Sequence, residues 1–91
     1  MANKRVRANI EGHVQGVFFR SRAREKAESL GINGWIENRP DGRVEGVFEG
    51  EEELVDEMAG WCRKGPSTAE VNKVDLREEK YEGDLQGFEI R

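Results

Sequence analysis

The chain has 91 residues, of which 37% are charged, and a net charge of −4; this length predicts a single domain, residues 1–91, and excludes a second one. The single cysteine, Cys62, excludes an intrachain disulfide, and together with the single histidine, His13, it excludes metal clusters of thiolates or imidazoles. No apolar run approaches the roughly 18 residues that cross a bilayer, and the first residues lack the apolar middle of a signal peptide, so we expect a soluble cytoplasmic protein without membrane contact.

The first third of the chain predicts a strand followed by a helix. Apolar and polar residues alternate over residues 6–10, which is the period of a strand with one buried face, and the strand is expected to run to about Gly12. From Phe19 to Leu30 the apolar residues recur at helical spacing instead. Gly31 follows directly, and a glycine just past the last helical residue is a common helix end.

The middle of the chain predicts a hairpin. A strand is expected around Trp35, and residues 39–42 read Arg-Pro-Asp-Gly, with proline and glycine at the turn positions that favour them. The returning strand is predicted over residues 43–49, ending at Gly50. The acidic run at residues 49–53 is interpreted as a solvated strand end and the negatively charged start of a second helix.

The last third predicts a second helix and one or two further strands. Leu54, Met58, Trp61 and Cys62 form one apolar stripe, so a helix is expected before residues 65–66, Gly-Pro, with Cys62 as a small buried hydrophobe. The irregular apolar spacing over residues 71–76 indicates a strand with a bulge, and residues 88–90 a short final strand.

These elements predict an α+β fold, a ferredoxin-like βαββαβ sandwich with a mostly antiparallel sheet and two helices packed on one face. The strand-helix-strand crossover is expected to be right-handed, so strands one and two run parallel with strand three between them. Both strands then end at the same edge of the sheet. The loop of residues 14–20 is therefore expected to face Asn38.

The charge of the chain is unevenly distributed, and the difference bears on ligands. Residues 1–45 contain nine Lys or Arg against six Asp or Glu, whereas residues 46–91 contain six against thirteen. The overall negative charge argues against nucleic-acid binding. An anion site is expected in the first half, near four cations of the first helix: Arg20, Arg22, Arg24 and Lys26.

The loop of residues 14–20 has the chemistry of an anion cradle. Gly16 permits close approach of the backbone, and a helix N-terminus follows at once. Arg20 offers a forked guanidinium that can bind two phosphate oxygens, and Asn38 offers an amide that can orient a water molecule. On this chemistry alone, Arg20 as a surface cation and Asn38 as a turn former remain open alternatives.

Two stretches resemble the two signatures of the acylphosphatase family. Residues 10–20 read I-E-G-H-V-Q-G-V-F-F-R, similar to the first signature, which is an aliphatic residue, x, G, x, V-Q-G-V, x, F or M, then R. Residues 34–38 read G-W-I-E-N and, with Gly42, Val44 and Gly50, resemble the second. The family usually has a smaller residue at Ile36 and Lys, Arg or Gln at Glu37. Glu37 adds a negative charge beside the expected site. It either weakens the affinity for an anionic substrate, or its side chain points away on the far face of the strand.

This resemblance implies an enzyme that hydrolyses the carboxyl-phosphate bond of acyl phosphates, giving a carboxylate and inorganic phosphate. It implies a phosphoryl group held by six consecutive residues: Gln15, Gly16, Val17, Phe18, Phe19 and Arg20. Arg20 and Asn38 are the implied catalytic residues, with Asn38 orienting the attacking water. No metal and no cofactor are expected. The expected partners are a small-molecule acyl phosphate and, as product-like ligands, inorganic phosphate or sulfate. The chain is expected to be a monomer that binds neither nucleic acid nor membrane.

Two other functions are compatible with this fold class. One is an acylphosphatase-like module that binds phosphate or carbamoyl phosphate without fast turnover; the absence of a linker after Arg91 favours a free-standing enzyme instead. The other is a ferredoxin-like RNA-binding domain. Strand three lacks the paired exposed aromatics that stack bases, and the acidic second half of the chain repels a phosphate backbone.

Overall fold

Two helices and five strands make up the fold in the computed structural model, which describes residues 2–91. The elements are, in chain order, β1 (Asn3–His13), α1 (Phe19–Leu30), β2 (Asn33–Asn38), β3 (Val44–Glu51), α2 (Glu52–Lys64), β4 (Glu70–Glu79) and β5 (Phe88–Ile90). This order confirms the predicted βαββαβ arrangement with a fifth strand. Among residues 2–91 no helix is both long enough and apolar enough to cross a membrane.

The strands form one sheet in the order β4-β1-β3-β2-β5. Every neighbouring pair is antiparallel except β2 and β5, which are parallel. Since β3 lies antiparallel to both β1 and β2, those two strands run in the same direction, as predicted from the crossover. The pairing of β1 with β4 shifts register between Glu11 and Gly12, where Asn72 is the extra residue of the predicted bulge.

Both helices pack on one face of the sheet and enclose the core. The fully buried side chains there include Phe19 and Ala23 of α1, Met58 and Cys62 of α2, and Phe48 of β3. Burying side chains of the size of Phe or Met stabilises the fold by about 1.5–3 kcal/mol each. The helical periodicity therefore identified the buried face of α1. On α2 it identified Met58 and Cys62, but Leu54 and Trp61 are only partly buried and lie at the edge of the core, while Val55 and Ala59 are buried.

The opposite face of the sheet carries ion pairs. Arg7 lies between the carboxylates of Glu45 and Glu79, at 3.1 and 2.7 Å. Trp35 lies on this face under the guanidinium groups of Arg7 and Arg91, and only 8% of it is exposed. Within residues 2–91 the strands therefore present no exposed aromatic ring on this face for base stacking, which argues against the RNA-binding alternative.

Two expectations at the end of β3 were wrong. The strand does not end at Gly50 but continues to Glu51. Glu49 is not solvated, since only 1% of it is exposed. The segment between β4 and β5 covers it: Glu49 Oε2 accepts weak hydrogen bonds from the amides of Glu82 and Gly83 and lies 3.5 Å from the Arg5 guanidinium. The alternation of residues along β3 correctly places Glu49 on the face opposite the helices. It does not reveal the segment that buries Glu49, because that segment is distant in sequence.

Candidate active site

A cleft of about 280 Å³ lies where β1 and β2 end at the same edge of the sheet. Its lining residues come from the loop after β1, the first turn of α1, the end of β2 and β5: Val14, Gly16, Phe18, Phe19, Arg20, Ser21, Asn38 and Ile90. The structure therefore brings the loop of residues 14–20 and Asn38 together, as the topology predicts. None of the lining residues is Asp, Glu or His.

The loop after β1 contains two residues in the left-handed region. Gly16 has a φ of 73°, and a Cβ there would meet no atom within 4 Å, so the backbone is open on that side. Phe18 has a φ of 66° and is the one non-glycine residue of positive φ in the part of the chain that the structure describes. That conformation costs a residue with a Cβ about 1–2 kcal/mol. Left-handed residues within a turn are a feature of anion-binding nests.

The N-terminus of α1 begins at the cleft. Phe18 is the N-cap residue, no side chain caps the helix, and no acidic residue lies in its first turn. The first backbone bond of this turn runs from the Arg22 amide to the Phe18 carbonyl oxygen. The amides before it, at residues 19–21, have no partner within the helix. This helix end can therefore bind an anion.

Two predicted phosphate-binding residues, Gln15 and Val17, do not line the cleft. Gln15 Nε2 instead donates to the backbone carbonyls of Arg39 and Arg43, at 2.7 and 3.0 Å, which attaches the loop to the β2–β3 hairpin. The Val17 side chain is buried in the core, and its carbonyl oxygen accepts a hydrogen bond from the Thr68 hydroxyl. Both residues shape the loop from outside the cleft.

Arg20 is the second residue of α1, and within residues 2–91 its guanidinium pairs with no Asp or Glu side chain. Its Nη1 donates to the main-chain oxygen of Arg91 at 3.2 Å. None of the ion pairs found among residues 2–91 involves Arg20, whereas Arg22 in the same helix pairs with Glu25. The remaining donors of the fork are available to a bound anion.

Asn38 is the last residue of β2, and its side-chain oxygen is buried in the cleft wall. Within residues 2–91 no donor reaches Asn38 Oδ1. An unsatisfied buried acceptor costs about 1–3 kcal/mol, and a water or ligand in the cleft would remove that cost. Asn38 lines the cleft, so a turn of its amide group would present this oxygen to the O–H of a water molecule.

Glu37 does not place its negative charge in the cleft. Successive residues of a strand point to opposite faces, so Glu37 lies on the face opposite Asn38. Its carboxylate pairs with Arg39 at 3.2 Å, and Arg39 also lies 3.4 Å from Glu45. Of the two alternatives for Glu37, the far strand face is the one observed.

Other reactive side chains lie away from the cleft. His13 is exposed at the end of β1, as expected. Cys62 is buried in the core, and desolvation raises the pKa of its thiol to about 12, so it is not a nucleophile at neutral pH. No group of three His, Cys, Asp or Glu side chains that could hold a metal ion occurs in residues 2–91.

Sequence reasoning missed several residues at or behind the cleft. Thr68 supports the loop from the α2–β4 connection, and Ile90 reaches the cleft because β5 pairs with β2. Arg91 donates its amide to the Ile36 carbonyl and accepts the bond from Arg20. These residues lie at least 18 positions from either signature, so no local pattern could have identified them. A correct pairing of β5 with β2 would have indicated Ile90.

The sequence and the fold both match known acylphosphatases. The family model described as acylphosphatase matches residues 6–90. The acylphosphatase of Rubrobacter xylanophilus is 56% identical over 88 residues, which are 97% of this chain and 80% of that relative. The solved acylphosphatase from Coxiella burnetii superposes with a TM-score of 0.92 and is 37% identical; the match covers 98% of this chain and 93% of that one. The solved acylphosphatase from Bacillus subtilis also superposes with a TM-score of 0.92 and is 30% identical; the match covers 97% of this chain and 98% of that one. This chain therefore belongs to the acylphosphatase family, the enzymes that hydrolyse the carboxyl-phosphate bond of acyl phosphates.

Proposed function

We propose that this chain hydrolyses acyl phosphates in the cleft between α1 and β2, with Arg20 and Asn38 as the catalytic residues. The observation that carries the proposal is that one cleft brings together a guanidinium paired with no Asp or Glu side chain and a buried amide oxygen without a donor, both judged within residues 2–91. The first suits a phosphoryl group, and the second suits the attacking water. Substrate and water satisfy both groups: the guanidinium gains a charge-assisted bond, and the amide oxygen gains a donor.

The phosphoryl group is held at the start of α1. The backbone amides of the loop from Gln15 to Arg20 and the helix N-terminus donate to its oxygens, and Arg20 adds a charge-assisted bond. Gln15 and Val17 contribute through the backbone, because their side chains are engaged elsewhere. The positive charge and amides stabilise the negative charge on the equatorial oxygens as the transition state forms, which is the main task in phosphoryl transfer.

Asn38 orients the attacking water. Its Oδ1 accepts one hydrogen bond from the water, which directs an oxygen lone pair at phosphorus. The new O–P bond forms as the bond between phosphorus and the acyl oxygen breaks. The acyl oxygen departs as a carboxylate, and the proton of the water passes to a phosphate oxygen of the substrate.

This chemistry needs no protein acid or base. A carboxylic acid has a pKa near 4, so the leaving group departs as its anion at neutral pH without being protonated. The cleft lining contains no Asp, Glu or His to act as a base, and the phosphate oxygen of the substrate supplies that function. We infer that neither metal nor cofactor takes part, so dialysis against a chelator should leave the rate unchanged.

We further propose that residues 1–91 form one domain that acts as a monomer in the cytoplasm, on small molecules and not on nucleic acid or membranes. Inorganic phosphate or sulfate should compete with the substrate as product-like ligands. The test is the hydrolysis of benzoyl phosphate and the binding of inorganic phosphate by the same preparation. Phosphate binding without hydrolysis would contradict the enzymatic role and favour a binding module.

A further inference from the structure

The Phe18 ring is unusual among the large apolar side chains of this protein. It is 69% exposed, and Tyr81, at 40%, is the other large hydrophobic residue exposed within residues 2–91. Phe18 also has a left-handed backbone, which elsewhere in residues 2–91 occurs only at glycines. An exposed apolar ring and a strained backbone thus coincide in one residue, and that residue lines the cleft.

The cleft has more room than a phosphate ion needs. A volume of 280 Å³ equals roughly nine water molecules at about 30 Å³ each, and a phosphate ion, with five heavy atoms, fills only part of that space. The lining of the cleft has a polar part and an apolar part. Arg20, Ser21 and Asn38 are polar, whereas the apolar part consists of Val14, Phe18, Phe19 and Ile90.

An acyl phosphate has the same division. Its phosphoryl end is charged, and its acyl end is organic and begins one oxygen away from phosphorus. When the phosphoryl group lies on the amides at the start of α1, the acyl group is left within reach of the residue that precedes the helix. That residue is Phe18, the N-cap of α1. Val14 and Phe19 are almost fully buried and Ile90 is partly buried, so Phe18 presents the largest free apolar surface of the lining.

We propose that the Phe18 side chain is a specificity-determining residue that packs against the acyl group, so that the enzyme prefers acyl phosphates with aromatic or other bulky apolar acyl groups to acetyl phosphate. The proposal rests on the proposed function, because it assumes that the phosphoryl group occupies the start of α1. An aromatic acyl group packs on the ring face or edge and removes apolar surface from water, whereas a methyl group covers little of it.

The test compares two substrates across matched variants. Phe18→Ala and Phe18→Leu both retain a Cβ, so the backbone constraint at this position is unchanged. The measured quantity is the ratio of kcat/KM for benzoyl phosphate to that for acetyl phosphate, which cancels any effect common to both substrates. We expect the ratio to fall about tenfold in Phe18→Ala and less in Phe18→Leu. Tyr81→Ala, which removes the other exposed aromatic ring, should leave the ratio at the wild-type value.

A binding measurement keeps the test valid if the Phe18 variants turn over slowly. Benzylphosphonate and methylphosphonate have the same charged end, are not hydrolysed, and differ in the apolar end. The preference for benzylphosphonate should fall in Phe18→Ala in parallel with the kinetic ratio. An unchanged preference in both measurements would overturn the assignment. Sedimentation would then show whether the ring packs on a second copy of the chain instead.

Failure of the proposed function gives a different result. If the wild-type enzyme hydrolyses neither benzoyl phosphate nor acetyl phosphate, the proposed function fails and the role of Phe18 fails with it. If it hydrolyses both and Phe18→Ala leaves their ratio unchanged, only the role of Phe18 is contradicted.

Discussion

Thr68 and Val17 are 51 residues apart in the sequence, and the Thr68 hydroxyl donates a hydrogen bond to the Val17 carbonyl oxygen. The Val17 carbonyl and the Phe18 amide belong to one planar peptide unit and point in opposite directions. Because Thr68 holds the carbonyl on its own side, the Phe18 amide is directed to the other side of the loop. We therefore propose that Thr68 is a positioning residue for the backbone of the proposed phosphate site.

Replacing Thr68 should weaken phosphate binding. Thr68→Val keeps the shape but removes the hydroxyl, so the peptide unit loses a bond that contributes about 0.5–1.5 kcal/mol. The Kd for inorganic phosphate should rise about two- to tenfold, as measured by calorimetry. Thr68→Ser keeps the hydroxyl and should bind phosphate nearly as well as the wild type. If Thr68→Val and Thr68→Ser bound phosphate equally, the hydroxyl would have no role in positioning the loop.

Replacing Arg20 by lysine should remove most of the activity. A lysine retains the charge but cannot make the forked contact with two oxygens. The kcat/KM for benzoyl phosphate should fall about 10²–10³-fold, the usual cost of one lost donor to a transition-state oxygen. Far-UV circular dichroism should be unchanged. Arg22→Lys is the control, since Arg22 lies in the same helix turn but pairs with Glu25; full activity in Arg20→Lys would refute the assignment.

Replacing Asn38 should affect turnover more than binding. Asn38→Ala removes the acceptor for the attacking water, so kcat should fall about 10²-fold, while the Kd for phosphate should change little. The substitution removes no hydrogen bond to Asn38 Oδ1, because this atom has no donor within residues 2–91. Thermal stability should therefore not show the decrease that follows the loss of a hydrogen bond.

Asn33 is the control for Asn38 because it lies at the other end of β2. Its side-chain oxygen accepts from the Gly87 amide at 3.1 Å. Asn33→Ala should therefore lower stability by about 0.5–1.5 kcal/mol, with little change in kcat. Equal losses of kcat and phosphate affinity in Asn38→Ala would instead assign Asn38 to substrate binding.

The ion pairs of the open sheet face should stabilise the fold only above acidic pH. Hydrogen bonding to the Arg7 guanidinium lowers the pKa of Glu79 from its usual 4.5. A carboxylate whose pKa is lower in the folded state contributes stability above the unfolded pKa and loses it as pH falls through the folded value. Glu79→Gln should therefore reduce the free energy of unfolding at pH 7, and the difference should shrink below about pH 4.5.

The size of this effect is limited by solvent, since about a third of the Glu79 side chain is exposed. A difference below about 1 kcal/mol at pH 7 is expected from urea denaturation. Glu78→Gln is the control, because the neighbouring Glu78 is exposed and forms no ion pair within residues 2–91. A Glu79→Gln difference that stayed constant from pH 7 to pH 3 would show that charge is not its cause.

Most of the fold could be predicted because its signals are local. The alternation over residues 6–10, the helical spacing from Phe19 and Gly31 with its φ of 69° each depend on a few consecutive residues. The handedness of the crossover then placed Asn38 beside the loop of residues 14–20. The wrong expectations concern Glu49 and the end of β3, where the covering segment is about 33 residues away in sequence.

The sequence by itself determined the order of the elements and most of the core face of each helix, and it predicted Arg20 and Asn38 as site residues, because periodicity, turn residues and signature motifs are read over short stretches of chain. Only the tertiary structure decided how those residues are held. It leaves Asn38 Oδ1 without a donor, links Gln15 to the hairpin and Thr68 to Val17, and exposes the Phe18 ring at the cleft. These features depend on contacts between segments far apart in sequence, since burial and hydrogen-bond satisfaction are set by whichever segment folds over a residue.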